Sequence, residues 1–238
     1  MRRYVSIALL AATALMLVIY LSPDPAPFSI YNPGPQGASK VAQICHITSL
    51  EDASVVIVAP GAVPPAPRPG QLIIVTGPTN ETLKALGVDA YVEGGAITDA
   101  AFNALNPNYP LAAAGNYTIA LYRPPPLAPG PAAAPLAQTS EYSTWRGAQG
   151  SYVVAIYQRV GGAEVVAVSS PYVFTNALLA MAQNAQWLKS LCGDKPTAYL
   201  GGVVDARAAL WRAVRTAPQT IVLIPLVALL VSIWPKKT

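Results

Sequence analysis

Two long apolar runs near the ends of the chain differ from everything that lies between them. The first covers residues 4–21 and the second covers residues 217–234, and neither contains a charged side chain. As a helix, a run of this length rises about 27 Å against a hydrocarbon core of roughly 30 Å. The pattern predicts a transmembrane helix at each position. The alternatives are a cleaved signal peptide for the first run and a buried C-terminal helix for the second.

Basic residues flank both runs and predict an orientation. Arg2 and Arg3 precede the first run, and Lys236 and Lys237 follow the second. Because basic flanks favour the cytoplasmic side, both termini are expected there and the central domain outside, in a protein of the cell membrane. The predicted segments are a cytoplasmic tail at 1–3, a span at 4–21, an extracytoplasmic domain at 22–216, a span at 217–234 and a cytoplasmic tail at 235–238.

The central segment carries short runs rich in Val, Ile and Tyr, which predict strands. Several are nearly continuous in apolar residues, as in strands that helices cover on both faces. The predicted strands lie at 28–31, 54–60, 71–77, 117–122, 151–158 and 163–170.

Helical patterns alternate with several of these strands. They cover 37–45, 80–86 and 175–192, the last with one apolar stripe that ends at Gly193. A Pro-rich stem at 22–27 precedes the domain, and 91–145 is expected to be a loop-rich excursion or an edge hairpin. This alternation predicts an α/β fold with a doubly wound, mostly parallel, flavodoxin-like sheet between the two transmembrane helices.

Composition and charge narrow the function classes. The 238 residues are 53% hydrophobic and 11% charged, with a mean hydropathy of +0.39. The formal charge of +4 comes entirely from the four basic residues of the two tails, since 11 basic and 11 acidic residues remain between the spans. A neutral central domain argues against nucleic acid as a partner.

The sequence offers little catalytic chemistry. His46 is the one histidine, it directly follows Cys45, and neighbours in sequence point to different sides of an element. No cofactor or metal motif occurs, so neither is expected. Cys45 and Cys192 stand near the ends of the first and last predicted helices and are candidates for a disulfide. Two free buried thiols are the alternative.

Two polar clusters follow predicted strands and are candidate ligand sites. Both would lie at the carboxyl edge of the sheet, where open α/β sheets bind ligands. The alternative interpretation is that these residues make turns and cap helices. The candidate residues are Asn32, Gly34, Gln36, Gly37, Ser169, Ser170, Tyr172, Thr175 and Asn176. Separately, Asn80 and Asn116 fit the N-glycosylation pattern.

Three segments resemble an uncharacterised family of bacterial and archaeal membrane-anchored proteins. They are SIYNPGPQGASK at 29–40, SVVIVAP at 54–60 and GGAEVVAVSSPYVFTNALLAMAQNAQWL at 161–188. The resemblance implies a glutamine-amidotransferase-like ectodomain between two transmembrane helices. It also implies partners in the membrane, such as an AAA ATPase or an ABC-transporter-type complex. The elbow that carries the nucleophile in true amidotransferases is Ala59-Pro60-Gly61 here, without a cysteine.

The expected function is a non-catalytic, membrane-anchored binding or scaffolding domain. Its partners would be the lipid bilayer and other membrane or envelope proteins. One alternative is a serine-dependent hydrolase or transferase of amidotransferase-like fold that uses Ser169 or Ser170. The other is a structural component of the cell envelope.

Overall fold

The computed structural model describes residues 2–22, 24 and 26–201. The chain divides into two units, and the second, Pro27–Val203, contains every strand of the described residues. In the first unit the described secondary structure is helix α1, Arg2–Leu21.

The predicted membrane topology needs correction. In the part of the chain that the structure describes, no helix is both long enough and apolar enough to cross a membrane. This overturns the predicted span at 4–21 and the two-span membrane placement built on it. The other predicted span, 217–234, lies outside the described residues.

The described part of the second unit contains fourteen strands. They are β1 His46–Ile47, β2 Val55–Val58, β3 Leu72–Thr76, β4 Ala90–Val92, β5 Thr98–Asp99, β6 Leu111–Ala114, β7 Tyr117–Ala120, β8 Leu127–Pro129, β9 Ala134–Thr139, β10 Ser143–Trp145, β11 Ala148–Gln149, β12 Val153–Val160, β13 Ala163–Val168 and β14 Pro196–Leu200. Nine of the described strands form one sheet in the order β1-β14-β2-β3-β13-β12-β9-β6-β7. A three-stranded sheet, β11-β10-β5, and a two-stranded sheet, β4-β8, accompany it.

The large sheet is mixed, so the predicted doubly wound, mostly parallel, flavodoxin-like sheet is wrong. From β1 to β13 the neighbouring strands are parallel, whereas from β13 to β7 every pair is antiparallel. The change occurs at the β12–β13 hairpin. Its two loop residues, Gly161 and Gly162, both have positive φ, as a tight turn that returns the chain antiparallel requires. A crossover helix would have been needed to keep these strands parallel.

This mixed architecture also overturns the amidotransferase-like resemblance. The described residues contain four α-helices and a short 3₁₀ turn against fourteen strands. Besides α1 they are α2 Val41–Ile44, α3 Asn80–Ala85 and α4 Asn184–Cys192, with the 3₁₀ turn at Leu178–Ala180. The predicted helix over 175–192 is therefore broken, and Ala182, with φ of 45°, lies at the break.

Each face of the sheet has its own apolar layer. Val55 and Ile57 point to the face covered by α2 and α4, while Val56 and Val58 point to the face covered by α3. The four consecutive buried residues of β2 follow from this two-sided cover. The apolar layer on the α3 face contains no side chain of strands β9, β6 or β7. The face of these three strands on that side of the sheet is therefore not covered by this layer.

Several sequence predictions fail outside the parallel strands. The segment 91–145 contains six complete strands and most of a seventh rather than mainly loops, and the predicted strand at 28–31 is formed of turns. Strand β14, which inserts between β1 and β2, was not predicted. The runs at 54–60, 71–77, 117–122, 151–158 and 163–170 each contain a strand.

Candidate functional site

The two predicted polar clusters meet at the carboxyl edge of the parallel strands, and Asn176 joins them. Its Nδ2 donates to the carbonyl of Gly34 at 2.8 Å and to that of Asn32 at 3.0 Å. Its Oδ1 accepts from the Lys40 backbone N–H at 2.9 Å, and its own N–H donates to Gly37 at 2.7 Å. The Asn176 side chain is buried. Its hydrogen-bonding capacity is therefore used within the protein.

The turn that Asn176 holds is tightly packed. Gly37 is buried, and a Cβ at this position would come within 1.9 Å of the Asn32 carbonyl oxygen, so only glycine fits. The Asn32 Oδ1 accepts from the Gly34 N–H at 2.8 Å. Gln36 lies on the outside, and its carbonyl accepts from the Phe28 N–H. These contacts are those of a braced turn.

The serines of the second cluster are buried. The Ser170 hydroxyl lies 3.3 Å from both the N–H and the carbonyl oxygen of Tyr122. The Ser169 Oγ has no hydrogen-bond partner among the described residues and no access to solvent. Thr175 donates to the Tyr172 carbonyl at 2.8 Å.

Aromatic rings cover the same edge of the sheet. Tyr172 packs against Phe28 at 5.4 Å and against Tyr122 at 5.5 Å, and Tyr122 packs against Tyr109 at 5.0 Å between ring centroids. The turn at Pro171 leaves no room for a Cβ on Gly77, at the end of β3. The candidate ligand residues are thus brought together, in contact with one another and with these rings.

The other candidate residues have separate places. Cys45 and Cys192 form a disulfide, as predicted, with 5.8 Å between their Cα atoms, and both are buried. His46 is exposed on the short edge strand β1. Asn80 accepts from the Val92 N–H at 2.6 Å, and Asn116 is exposed in the β6–β7 turn.

The uncovered face of β7, β6 and β9 carries a depression that the sequence did not indicate. Thr118, Ala113 and Gln138 are direct cross-strand neighbours on this face. Ala113, small and central, forms part of the lining. The depression has a volume of about 200 Å³ and is lined by Phe102, Leu111, Ala112, Ala113, Thr118, Gln138, Thr139 and Ser140.

An exposed aromatic pair stands beside this depression. The rings of Phe102 and Tyr142 stack with 5.7 Å between centroids. Their side chains remain 51% and 48% exposed. Exposed aromatic side chains around a concave surface are typical of recognition sites.

Buried Asp99 fixes the loop that carries this pair. Its carboxylate accepts from the Ser143 hydroxyl at 2.8 Å, from the backbone N–H of Ala101 at 2.9 Å and of Phe102 at 2.7 Å, and from the Ser140 hydroxyl. Burial raises the pKa of Asp99, but these four hydrogen bonds outweigh it and hold the pKa below the usual value. Asp99 therefore links the Phe102 loop to the segment that bears Tyr142.

The chemistry of the depression favours recognition over catalysis. None of its eight lining residues is ionisable in the neutral range, so the lining offers no general acid or base. Within the described residues, no group of three His, Cys, Asp or Glu side chains could hold a metal ion. A neutral ligand that combines an apolar surface with hydrogen-bonding groups fits Phe102, Gln138 and Ser140 best.

Sequence reasoning missed this site because 91–145, apart from the strand predicted at 117–122, was interpreted as a loop-rich excursion. Two signals were available. Gly115-Asn116 separates two apolar runs, which is a hairpin pattern. The second is Asp99, because aspartate often begins a turn by accepting from a backbone N–H group shortly after it. In the structure it accepts from the N–H groups of Ala101 and Phe102.

Comparison with known proteins adds a family but no activity. A family model described as a domain of unknown function, DUF4350, matches residues 48–192. No curated protein matches the chain. Among solved structures, the mmIFT52 N-terminal domain is 16% identical, with a TM-score of 0.39, over 51% of this chain and 66% of that one. The exo-beta-1,4-mannosidase Op5Man5 from Opitutaceae bacterium strain TAV5 is 18% identical, with a TM-score of 0.29, over 51% of this chain and 20% of that one. The chain thus spans just under two thirds of the first structure and a fifth of the second.

Proposed function

Since the chain belongs to the DUF4350 family, whose function is unknown, we propose a function from its site: a non-catalytic binding or scaffolding domain that acts through a partner. The observation that carries this proposal is the depression on β7, β6 and β9 with the exposed Phe102–Tyr142 pair beside it. Aromatic side chains of this kind contribute disproportionately to binding energy at protein interfaces.

The state of the nucleophiles supports a non-catalytic role. Both cysteines of the chain form the disulfide, so neither has a free thiol that could act as a nucleophile. Ser169 and Ser170 are buried, and Ser170 is bonded to the backbone of Tyr122. A serine nucleophile needs access to substrate and a base within hydrogen-bond reach. Neither Ser169 nor Ser170 is accessible to a substrate.

Site-specific photo-crosslinking tests the binding surface. We place p-benzoylphenylalanine at Ala113, in the depression, of the full chain produced in its own cells. The matched control carries the same probe at Lys84, an exposed position on α3. A crosslinked product is expected from position 113 and not from position 84. It should disappear when Phe102 and Tyr142 are both replaced by alanine, since the rings supply the contact.

The outcome that contradicts the proposal is equally concrete. If positions 113 and 84 give the same products, or if the product survives loss of both rings, this face is not the binding surface. Circular dichroism of the double alanine variant shows that loss of the product does not arise from unfolding. Both rings are about half exposed, so their removal is expected to leave the fold intact.

A fluorophosphonate probe tests the serine-hydrolase alternative. Such probes label serines whose hydroxyl is activated and accessible. No labelling is expected, because Ser169 and Ser170 are buried. Labelling of either serine, located by peptide mass spectrometry, would overturn the non-catalytic proposal.

A further inference from the structure

The connection between β2 and β3 contains a segment whose backbone is restricted at every position. In the sequence VPPAPRP at 63–69, each residue either is a proline or precedes one. Proline fixes its own φ near −65°, and the residue before it is pushed to extended or polyproline II conformations. The segment has no regular secondary structure from 62 to 68. We call residues 63–69 the proline rod, since this sequence pre-organises an extended polyproline II segment.

One edge of the proline rod faces solvent. Polyproline II has three residues per turn, so Val63, Ala66 and Pro69 share an edge. All three are exposed, and the Val63 side chain is 85% exposed, whereas Pro64 and Pro67 are partly buried. Arg68 is also exposed and is the one charged residue of the rod. An exposed, pre-organised apolar edge loses little conformational entropy on binding.

The depression cannot receive the proline rod of its own molecule. The rod ends beside the start of β13, where the Gly70 N–H donates to the Gly162 carbonyl at 3.0 Å. Strand β9 runs in the same direction as β13, because two antiparallel pairings separate them. The depression lies at the carboxyl end of β9, around Ser140. The two surfaces therefore lie at opposite edges of the sheet, about 20 Å apart along strands of this length.

The two surfaces are complementary in chemistry. Extended proline-rich segments bind grooves lined by aromatic rings, and the Phe102–Tyr142 pair flanks an uncharged depression. Glu141 is exposed between Ser140 and Tyr142, and carries the charge opposite to that of Arg68. We propose that the proline rod of one molecule docks at the Phe102–Tyr142 depression of a second copy. This rests on the proposed function and identifies its partner.

The geometry of this contact determines the kind of assembly. The two surfaces are different and lie at opposite edges, so the contact is head to tail and leaves a free surface at each end. A seven-residue segment makes a small interface, which is expected to be weak and concentration-dependent. Growth through dimer, trimer and longer species is therefore expected rather than a closed dimer.

Sedimentation velocity of the full chain tests the proposal. Over concentrations up to about 1 mM, in the range of weak complexes, the average mass should rise without a plateau at the dimer. Arg68→Glu and Glu141→Arg should each weaken the association constant by about tenfold. The double swap should restore it, since the charges are then exchanged. Lys189→Glu, a charge reversal at an exposed site of α4 that belongs to neither surface, should have no effect.

A synthetic peptide of residues 59–70 provides the second measurement. It should bind the full chain, shorten the assemblies and lose binding to the variant in which Phe102 and Tyr142 are alanine. A chain that stays monomeric and a peptide that does not bind would overturn self-docking. The crosslinking experiment separates this failure from that of the proposed function. A product from position 113 with a different protein leaves the binding role standing, whereas no specific product rejects both.

Discussion

Among single residues, Asn176 is the one whose contacts hold most of the carboxyl edge together. Its side chain bonds three backbone groups, those of Asn32, Gly34 and Lys40. Removal of a partner from a buried polar group costs about 1–3 kcal/mol. Asn176→Ala is therefore expected to lower the free energy of unfolding by about 2–4 kcal/mol, measured by urea denaturation.

Two further variants sharpen this prediction. Asn176→Asp keeps the shape but places a carboxylate oxygen against the carbonyls of Asn32 and Gly34, and should destabilise at least as much at pH 7. Asn116→Ala, at an exposed turn position, should change stability by less than about 0.5 kcal/mol. Equal stability of Asn176→Ala and the wild type would show that water replaces the lost bonds.

Asp99 makes the stability of the site depend on pH. Its pKa in the folded protein is lowered, so the stabilisation is present above the unfolded pKa of about 3.9 and is lost as the pH falls through the folded value. Asp99→Asn should lower the free energy of unfolding by about 1–3 kcal/mol at pH 7. The difference in the free energy of unfolding between Asp99→Asn and the wild type should narrow as the pH falls well below about 3.9. Urea titrations at pH 7 and at about pH 2 measure this difference.

The control for Asp99 is an exposed aspartate. Asp194→Asn is expected to change stability by less than about 0.5 kcal/mol at neutral pH. A destabilisation of Asp99→Asn that stays constant down to pH 2 would contradict a charged role for this side chain. It would leave only the loss of shape and hydrogen-bond geometry as its cause.

At the scale of elements, the edge strand β7 is closed by two amide side chains that imitate a neighbouring strand. The Gln183 Oε1 accepts from the Thr118 N–H, and the Asn184 Oδ1 accepts from the Ala120 N–H, both at 2.7 Å. Asn184 Nδ2 returns a bond to the Ala120 carbonyl at 2.8 Å. An edge with free N–H and C=O groups is a template for aggregation, and these residues remove it.

Opening this edge should have two effects. Asn184→Ala is expected to lower the free energy of unfolding by about 2–4 kcal/mol, since Asn184 is buried and bonds both backbone groups of Ala120. It should also increase light scattering on storage, because the β7 edge is then exposed. Gln186→Ala, at an exposed position of α4, should do neither. Unchanged scattering would show that other residues protect the edge.

The sequence predicted those elements whose residues carry a local signal. Continuous apolar runs such as VVIV at 55–58 indicate strands buried on both faces, and the structure buries all four residues. Strands β6 and β9 carry mostly Ala, Pro and polar residues, so their alternation was too weak to see. Residues of both strands line the depression, so the site could not be predicted once these strands were missed.

For the whole molecule, strand order and direction depended on contacts that no local pattern encodes. The pair Gly161-Gly162 makes an antiparallel hairpin, yet the strands on either side are as apolar as parallel ones. Strand β14 is the last described strand in sequence, yet it inserts between β1 and β2, which are the first two. The partners of the disulfide were predictable because the chain has only two cysteines, whereas the sequence left two free thiols open as the alternative.

That disulfide is a covalent link between distant parts of the second unit and should contribute strongly to its stability. Cys45 and Cys192 close a loop with a sequence separation of 147 residues, joining α2 to α4. In the chain-entropy model, a loop of this size is worth about 5 kcal/mol. Replacement of both cysteines by alanine should lower the free energy of unfolding by about that amount. Dithiothreitol should have little effect on the native protein, where both sulfurs are buried, and should lower the urea midpoint once unfolding exposes them. An unchanged midpoint with full reduction, verified by thiol alkylation, would show that packing of α2 against α4 holds these ends without the bond.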